Sequence, residues 1–445
     1  MTKRAKIVWA VAAAVFLLTA FAAVAAVAAY YAVGFYRGRH LFDEGCAAMA
    51  RQEYDTAAAR FGAALRQKLV PAYRAYAFQN LAFSENAKGR HDDAIRDYTE
   101  ALRFDPTLAF AYSARGALYD DKGDRDKAFN DYSEAIRLDP NENRAFFRRG
   151  YIDLQRKDWN KAIADFSEAI RTSPSSETSY FERGVAYART NDLDRALADF
   201  ESAIRLWPNY SAAYVERGYI YERKHELEKA LADFAEAIRI NPKYEFGYRA
   251  RAFAFADNKH WPEAIADFSK ALEINPKDNV AFEGRGFAYS EAGDQDRAIA
   301  DFTEMIQLKK STNAYSRRAR AYSRKGNYLP ALADLREATK SAPNDSVAFN
   351  DLAWFLATSP EPSVRDGREA VIYATKACEL SHWKGAYAID TLAAASAEAG
   401  DFDRAMAYES EAITCEDVKK ADSAEMGKRL ALYQAHKPFH KEKGK

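Results

Sequence analysis

The chain has 445 residues, of which 48% are hydrophobic and 29% are charged; this mixture is typical of globular proteins and excludes a wholly disordered or wholly membrane-embedded chain. The 65 basic side chains balance 65 acidic ones, which argues against nucleic-acid binding because such proteins usually carry a basic stripe. The length exceeds one ordinary hydrophobic core, so several domains or an array of repeats is expected.

The first element is a long segment without charge. Residues 7–33 contain no charged side chain, and a helix of that length, at about 1.5 Å per residue, exceeds the ~30 Å hydrocarbon core of a bilayer. Basic residues precede it and aromatic residues stand near both of its ends, as at membrane interfaces. We predict a basic tail at residues 1–6 and a transmembrane helix, or uncleaved signal anchor, at residues 7–33.

Two questions about this segment stay open in the sequence. Residues 26–28 (Ala-Val-Ala) resemble a signal-peptide cleavage site, although the apolar run is longer than the usual core of about 7–15 residues. Three basic side chains precede the segment, and Arg37 and Arg39 follow it. That difference favours a cytoplasmic N-terminus and a translocated C-terminal domain.

A period of 34 residues dominates the rest of the chain. Six prolines follow one another at this interval: Pro106, Pro140, Pro174, Pro208, Pro242 and Pro276. Five glycines follow the same interval, with Ala252 in the one missing place: Gly116, Gly150, Gly184, Gly218 and Gly286. A fixed period in this range predicts a solenoid in which each unit is stabilised by its neighbours.

Each unit is predicted to be a pair of helices, because apolar residues recur at helical spacing on both sides of a short polar turn. The repeating glycine lies in the first helix, which we call helix A, and the proline ends the second, helix B.

Three cysteines, Cys46, Cys378 and Cys415, show no zinc or disulfide pattern. A disulfide bridge between Cys378 and Cys415 is the alternative in an oxidising compartment.

The unit resembles the tetratricopeptide repeat (TPR). The aromatic, glycine, alanine and proline positions of that family are matched in one unit at Tyr180, Gly184, Tyr187, Ala196, Phe200, Ala203 and Pro208. The resemblance implies an all-α TPR solenoid, a right-handed superhelix of helix hairpins, here preceded by one transmembrane helix. It also implies a concave groove that binds proteins or peptides, and its last units are similar to those of bacterial TPR proteins.

Eleven units are expected between residues 38 and 415, at about 38–71, 75–108, 109–142, 143–176, 177–210, 211–244, 245–278, 279–311, 312–344, 346–380 and 386–415. A capping helix at 416–436 and a basic tail at 437–445 are predicted to follow.

An arginine on helix A and an aspartate on helix B recur sixteen residues apart, which predicts an ion pair inside each hairpin. The seven pairs are Arg115 with Asp131, Arg149 with Asp165, Arg183 with Asp199, Arg217 with Asp233, Arg251 with Asp267, Arg285 with Asp301, and Arg318 with Asp334. The first unit has the reversed pair Glu44 and Arg60, and the last two units have leucine and tyrosine instead. The second unit, with Leu81 and Asp97, is the exception. Because the two positions otherwise change together, we interpret the pairs as structural; repeated arginines that hold acidic ligands are the alternative.

Helical spacing places the residues three before, one after and five after the repeating glycine on one side of helix A, which we call the helix-A face. In TPR proteins this side lines the groove. The candidate partner-binding residues there are Phe147, Tyr151, Phe181, Arg189, Tyr219, Arg223, Arg249, Phe253 and Phe287. Exposed aromatic side chains in a groove suit an extended or helical peptide.

No nucleotide-binding, hydrolase or metalloprotease motif is present in the sequence, and we predict no catalytic residue, cofactor, metal or small-molecule substrate. The favoured interpretation is a single-pass scaffold or adaptor, anchored in a bacterial inner membrane with its repeats in the periplasm. One alternative is a soluble periplasmic binding protein released by cleavage, and another is a docking subunit of an enzyme complex.

Overall fold

The computed structural model describes residues 2–415 and 420–442, with the backbone alone at residues 3–14, 420 and 421. Regular structure in these ranges is entirely helical, with 23 α-helices and a 3₁₀ turn at Pro362–Val364. The helices are α1 Lys3–Ala50, α2 Tyr54–Leu65, α3 Pro71–Ala87, α4 His91–Phe104, α5 Ala109–Asp121, α6 Arg125–Leu138, α7 Asn143–Gln155, α8 Trp159–Thr172, α9 Glu177–Arg189, α10 Leu193–Leu206, α11 Ser211–Arg223, α12 Leu227–Ile240, α13 Glu245–Asp257, α14 Trp261–Ile274, α15 Asn279–Glu291, α16 Gln295–Leu308, α17 Thr312–Arg324, α18 Tyr328–Ser341, α19 Ser346–Thr358, α20 Gly367–Leu380, α21 Ala386–Glu398, α22 Phe402–Thr414 and α23 Lys420–Gln434.

Odd-numbered helices from the end of α1 to α21 are the A helices of repeats 1 to 11, and the even-numbered helices α2 to α22 are the B helices. Each A helix packs along the B helix of its own repeat. Within residues 1–208 and within residues 209–445, which form two compact units, each B helix also packs against the A helix of the next repeat. This arrangement confirms the predicted all-α TPR solenoid.

The core of each hairpin is an aromatic ring of helix B set against the small residue of helix A. Phe166, Phe200 and Phe234 are fully buried, and burial of such a side chain contributes about 1.5–3 kcal/mol. The rings lie so close to the glycine backbone that a Cβ on Gly218 would be 2.4 Å from the ring of Phe234. The glycine is therefore required by a close approach of two helices.

The turn from helix A to helix B contains a residue with positive φ. This residue is Gly123 in repeat 3, at φ 81°, but Lys157 in repeat 4, at φ 64°, and His225 in repeat 6, at φ 61°. The left-handed conformation ends helix A by allowing the backbone to bond back onto its last turn, as when Asp158 N–H donates to the carbonyl of Asp153 at 2.9 Å.

Helix α1 joins the predicted membrane segment to repeat 1 without a break. It runs from Lys3 to Ala50, so the predicted basic tail at residues 1–6 is helical from Lys3 onward, and the last turns of α1 are helix A of repeat 1. The large apolar side chains of its described part, such as Leu18 and Phe21, are exposed. Among the described residues, one helix, α1, is long and apolar enough to cross a membrane. Signal sequences share this property.

The end of the apolar segment is in contact with the first two repeats. A Cβ on Gly34 would lie 2.8 Å from Lys68 Cγ, and the Lys68 ammonium lies 5.2 Å from the centre of the Tyr31 ring. The ring of Phe35 meets that of Tyr73 edge to face, 5.9 Å between centres. The apolar helix is therefore held by the α2–α3 connection and α3.

At the other end, α23 corresponds to the capping helix predicted at 416–436; residues 416–419 lie outside the described ranges. Tyr433 of α23 is fully buried, in a cluster with Ala393 and Ala405 of repeat 11. The predicted basic tail begins directly after it, and its described residues, 437–442, turn back onto repeats 10 and 11.

Candidate functional site

The seven arginines predicted to pair with aspartates each donate two hydrogen bonds across their own hairpin. In repeat 3, Arg115 Nε and Nη2 each lie 2.8 Å from a different carboxylate oxygen of Asp131. The other six pairs have the same fork geometry at 2.7–2.9 Å. Two parallel charge-assisted bonds fix the direction of both side chains, so these arginines are already occupied.

The third nitrogen of most of these arginines reaches the preceding repeat. Arg149 Nη1 donates to the hydroxyl of Ser133 at 3.2 Å, and that hydroxyl in turn donates to the carbonyl of Phe129 at 2.8 Å. The same link joins four other arginines to a serine or threonine: Arg115, Arg183, Arg285 and Arg318. Each of these five arginines thus connects two repeats as well as two helices.

Repeats 1 and 2 lack this arginine, and neither has the two-bond ion pair of repeats 3 to 9. Glu44 and Arg60 of repeat 1 approach to 3.3 Å but are half exposed, so a weak pair is expected there. In repeat 2, Leu81 stands in the arginine position, and Asp97 meets only its neighbour Arg96, at 3.6 Å. Burial raises the pKa of Asp97 to about 6, and Leu81 supplies no charge from helix A that would lower it.

In residues 1–208, the helix-A face carries the predicted contacts Phe147, Tyr151, Phe181 and Arg189. Phe147 and Phe181 are partly buried, because each packs against the helix-B ring of its own repeat with centres 5.7 and 5.8 Å apart. Tyr151 is also partly buried, and Arg189 is exposed at the end of α9. These three aromatic rings are therefore partly buried in the repeats and partly accessible on the helix-A face.

In residues 209–445, the candidates are Tyr219, Arg223, Arg249, Phe253 and Phe287. Arg223 is exposed. Burial raises the pKa of Tyr219 to about 12, and its ring packs edge to face on the helix-B phenylalanine of its repeat. Arg249 donates to the carboxylate of buried Asp278 at 2.8 Å, so its positive charge is already balanced by an ion pair within the fold.

The structure brings Phe253 and Phe287 together around a cavity of about 310 Å³. Val280 completes its apolar wall, and both Val280 and Phe287 keep about two fifths of their surface exposed, at 44% and 40%. Asp257, Glu283 and Arg317 also line the cavity. The two acids outnumber the one base, so the cavity combines an apolar interior with an excess of negative charge, which suits an apolar side chain beside a cation.

One substitution in the repeat accompanies this cavity. Ala252 stands where six other repeats have glycine, and the ring of Phe268 lies against the backbone of Gly284 in the next repeat, where a Cβ would be 2.3 Å from Cζ. The Phe253 ring covers Phe268 edge to face with centres 4.9 Å apart. A glycine at position 284 is thus what admits Phe268 to the cavity wall.

The acidic side chains differ in how they are satisfied. Glu283 is paired with Arg317 at 2.5 Å. Within the part of the chain that the structure describes, the carboxylates of Asp257 and Glu222 have no hydrogen bond or ion pair. Burial and the nearby charge of Asp257 raise the pKa of Glu222 to about 7. Asp257 is exposed and negatively charged, and a cation beside it would also favour the ionised form of Glu222.

Sequence reasoning missed a second cluster, in which the chain's own C-terminal segment lies on the helix-A face of repeats 10 and 11. Phe439 packs on Trp354 with ring centres 6.1 Å apart, and His440 Nε2 lies 2.6 Å from Glu398 Oε2. The backbone N–H of Lys441 donates to the carbonyl of Thr358 at 2.8 Å.

The helix-A residues of this cluster occupy the positions that define the face. Trp354 is one residue after the small residue Ala353, and Thr358 and Glu398 are five residues after Ala353 and Ala393. The positions were readable in the sequence; their occupation by an aromatic and basic segment of the same chain required the structure. In the described residues, no group of three or more histidine, cysteine or carboxylate side chains could hold a metal ion.

Comparison with known proteins agrees with the repeat geometry. Four tetratricopeptide-repeat family models match the chain, at residues 84–123, 109–142, 150–191, 181–245, 246–278 and 312–345. A search of curated proteins found no match.

Solved structures with similar folds include a tetratricopeptide repeat protein from Parabacteroides merdae, with 20% identity, 55% of this chain and 97% of that chain covered, and a TM-score of 0.45. Yeast Tom70 has 16% identity, covers 89% and 96% of the two chains, and has a TM-score of 0.44. YrrB, a TPR protein with an unusual peptide-binding site, has 20% identity, 42% and 97% coverage, and a TM-score of 0.37.

The family assignment rests on the matched models together with the helix pairs, the glycine notches and the 34-residue register that the structure displays. This chain is a tetratricopeptide-repeat protein.

Proposed function

We propose that this protein is a membrane-anchored scaffold that binds partner proteins or peptides on the helix-A face of its repeats. The observation that carries the proposal is the cavity between Phe253 and Phe287, where apolar side chains remain exposed beside the carboxylate of Asp257, which has no partner among the described residues. An apolar cavity with a few polar groups pointing into it is the usual form of a binding site.

Anchoring is supported by the apolar helix and by its junction with the repeats. The exposed apolar part of α1 ends where Lys68 and Tyr73 hold the helix. A helix that continues into repeat 1 would place the first repeats directly at the bilayer surface. In this arrangement the repeats lie in the periplasm of a bacterial cell, with the N-terminus in the cytoplasm.

Anchoring is tested by membrane fractionation and by the mass of the mature N-terminus. The full chain should remain with membranes after alkaline carbonate washing, and a variant lacking residues 2–33 should not. An N-terminus near Ala29 would instead support the released periplasmic form. A C-terminal alkaline phosphatase fusion should be active only if the repeats face the periplasm.

Partner binding is tested by a photoreactive phenylalanine analogue placed at Phe253 in the source cells. Crosslinked proteins should appear at Phe253 and be much fewer when the same group replaces Leu329, which is 66% exposed on a B helix. Equal capture at both positions would count against the helix-A face as the binding surface.

A further inference from the structure

Repeats 10 and 11 display one ligand chemistry for the helix-A face, because a segment of the chain is bound there. An aromatic side chain, Phe439, covers the ring that follows the small residue of repeat 10, and the next residue, His440, bonds the acid five positions after the small residue of repeat 11. Arg429 lies 5.7 Å from the Phe439 ring on another side. The bound segment thus combines an aromatic residue with an adjoining basic one.

Repeat 7 carries an aromatic residue and an acid at the same two positions, here within one repeat. Phe253 follows the small residue Ala252, and Asp257 is five residues after Ala252. In repeat 8 the corresponding acid, Glu291, is already paired with Arg324 at 2.6 Å. Asp257 has no such partner in the described residues, and Glu222 adds a second carboxylate beside it.

The apolar half of the site is the cavity of about 310 Å³ lined by Phe253, Val280 and Phe287. An aromatic or large aliphatic side chain would fill this space, as Phe439 covers Trp354 in the terminal repeats. A basic residue next to it in sequence would then reach Asp257, where a charge-assisted bond is stronger than a neutral one.

From the cavity and the acid beside it we infer that the cavity of repeats 7 and 8 binds a partner segment in which a large apolar side chain adjoins a basic one, with the apolar side chain between Phe253 and Phe287 and the cation on Asp257. The inference rests on the proposed binding function and specifies the partner's chemistry.

The test uses the full chain in detergent micelles and a fluorescein-labelled synthetic peptide with the sequence of residues 436–442, measured by fluorescence anisotropy. Asp257→Asn and Phe287→Ala should each weaken binding about tenfold, since each removes one anchoring contact. Asp121→Asn is the matched control and should leave binding unchanged. Asp121 is the acid five residues after the small residue of repeat 3, but the residue one after that small residue is Ala117, not an aromatic one.

Two further peptides separate the parts of the inference. Replacing the phenylalanine by alanine, or the basic residues by glutamine, should each weaken binding about tenfold and make it insensitive to the corresponding protein variant. Unchanged affinity for either peptide would overturn the inference. So would loss of binding in Trp354→Ala with no effect of Asp257→Asn, since the peptide would then occupy the terminal repeats alone.

These outcomes are distinct from failure of the proposed function. If the photoreactive group at Phe253 captures partners in cells while the peptide fails to bind, the scaffold role stands and the assigned partner chemistry is wrong. If neither experiment gives a signal, both proposals fall.

Discussion

Arg318 donates a hydrogen bond from Nη1 to the hydroxyl of Thr303, which lies 3.1 Å away and fifteen residues earlier in the chain. The corresponding bond from Arg285 to Ser269 spans sixteen residues at 3.0 Å. Repeat 8, at residues 279–311, is one residue shorter than the 34-residue period, and the missing residue falls in the connection between α16, which ends at Leu308, and α17, which begins at Thr312. The inter-repeat bond is retained because the shortened segment lies outside both helices.

Removing one partner of a hairpin ion pair should cost more stability than replacing both. Arg285→Leu leaves the Asp301 carboxylate buried at 5% exposure without its two donors, and breaking a buried pair in this way costs about 3–5 kcal/mol. The double variant Arg285→Leu with Asp301→Tyr reproduces the leucine and tyrosine of repeats 10 and 11 and should recover most of the loss.

Urea denaturation followed by circular dichroism measures this difference between the two variants. Ser269→Ala serves as the control for the inter-repeat bond alone and should cost about 0.5–1.5 kcal/mol. A double variant as unstable as Arg285→Leu, or less stable, would mean that the covariation has another cause.

The hairpin ion pairs were readable from the sequence because two positions change together in every repeat but one. The hydroxyl that links five of the arginines to the preceding repeat was not predicted, since Glu201 and Ala235 interrupt the series of hydroxyl residues to which Ser167 and Ser269 belong. A side-chain network that tolerates gaps leaves too weak a periodic signal, even though its geometry is regular where it occurs.

The candidate site was predictable only in part. Helical spacing placed Phe253 and Phe287 on one face, and the structure joins them in one cavity. Sequence spacing could not show that Arg249 is bound to Asp278 in the next repeat, or that Gly284 admits the ring of Phe268. Both depend on how neighbouring repeats approach each other, which a repeat pattern within one chain does not specify.

Substituting the notch glycine should destabilise the hairpin even though alanine is the better helix former. A Cβ at Gly218 would lie 2.4 Å from Phe234 Cε1, so Gly218→Ala forces the buried ring or the helices apart, at about 1–3 kcal/mol. Gly62 of α2 is the matched control, because the nearest atom to its Cβ would be 3.9 Å away, on the flexible side chain of Arg66. Gly62→Ala should be neutral or stabilising by about 0.5–1 kcal/mol.

Thermal unfolding of the two alanine variants gives the comparison directly. If Gly218→Ala and Gly62→Ala change the midpoint by the same amount, the close approach of helices is not the reason that glycine occupies position 218.

The last two repeats and α23 enclose two carboxylates and one arginine. Arg429 donates to Asp390 at 2.7 Å and lies 3.3 Å from Glu409, and Glu409 is fully buried. Burial, followed by the charge of Asp390, raises the pKa of Glu409 from its ordinary value of 4.5 to about 9. Glu409 therefore carries a proton in the folded protein at neutral pH, and one cation balances one anion.

The sign of the resulting pH dependence follows from proton binding. Between pH 4.5 and 9 the folded state holds a proton on Glu409 that the unfolded state releases, so the free energy of unfolding must fall as pH rises through this range. We expect the urea midpoint of the C-terminal repeats to decrease from pH 6 to pH 9. The fluorescence of Trp354 and Trp383, which lie in these repeats, reports it.

Glu409→Gln keeps the shape and hydrogen-bonding capacity of the protonated side chain but cannot ionise, so this variant should lose much of the decrease between pH 6 and pH 9. Glu411→Gln, an exposed position on the same helix, should retain it. If Glu409→Gln keeps the wild-type slope, the proton is held elsewhere in the cluster, and the buried aspartate bound to Arg429 becomes the group to examine. Burial lowers the pKa of Lys441, which contributes a rise with pH. A midpoint that rises in the wild type by as much as in Glu409→Gln would therefore contradict a protonated Glu409.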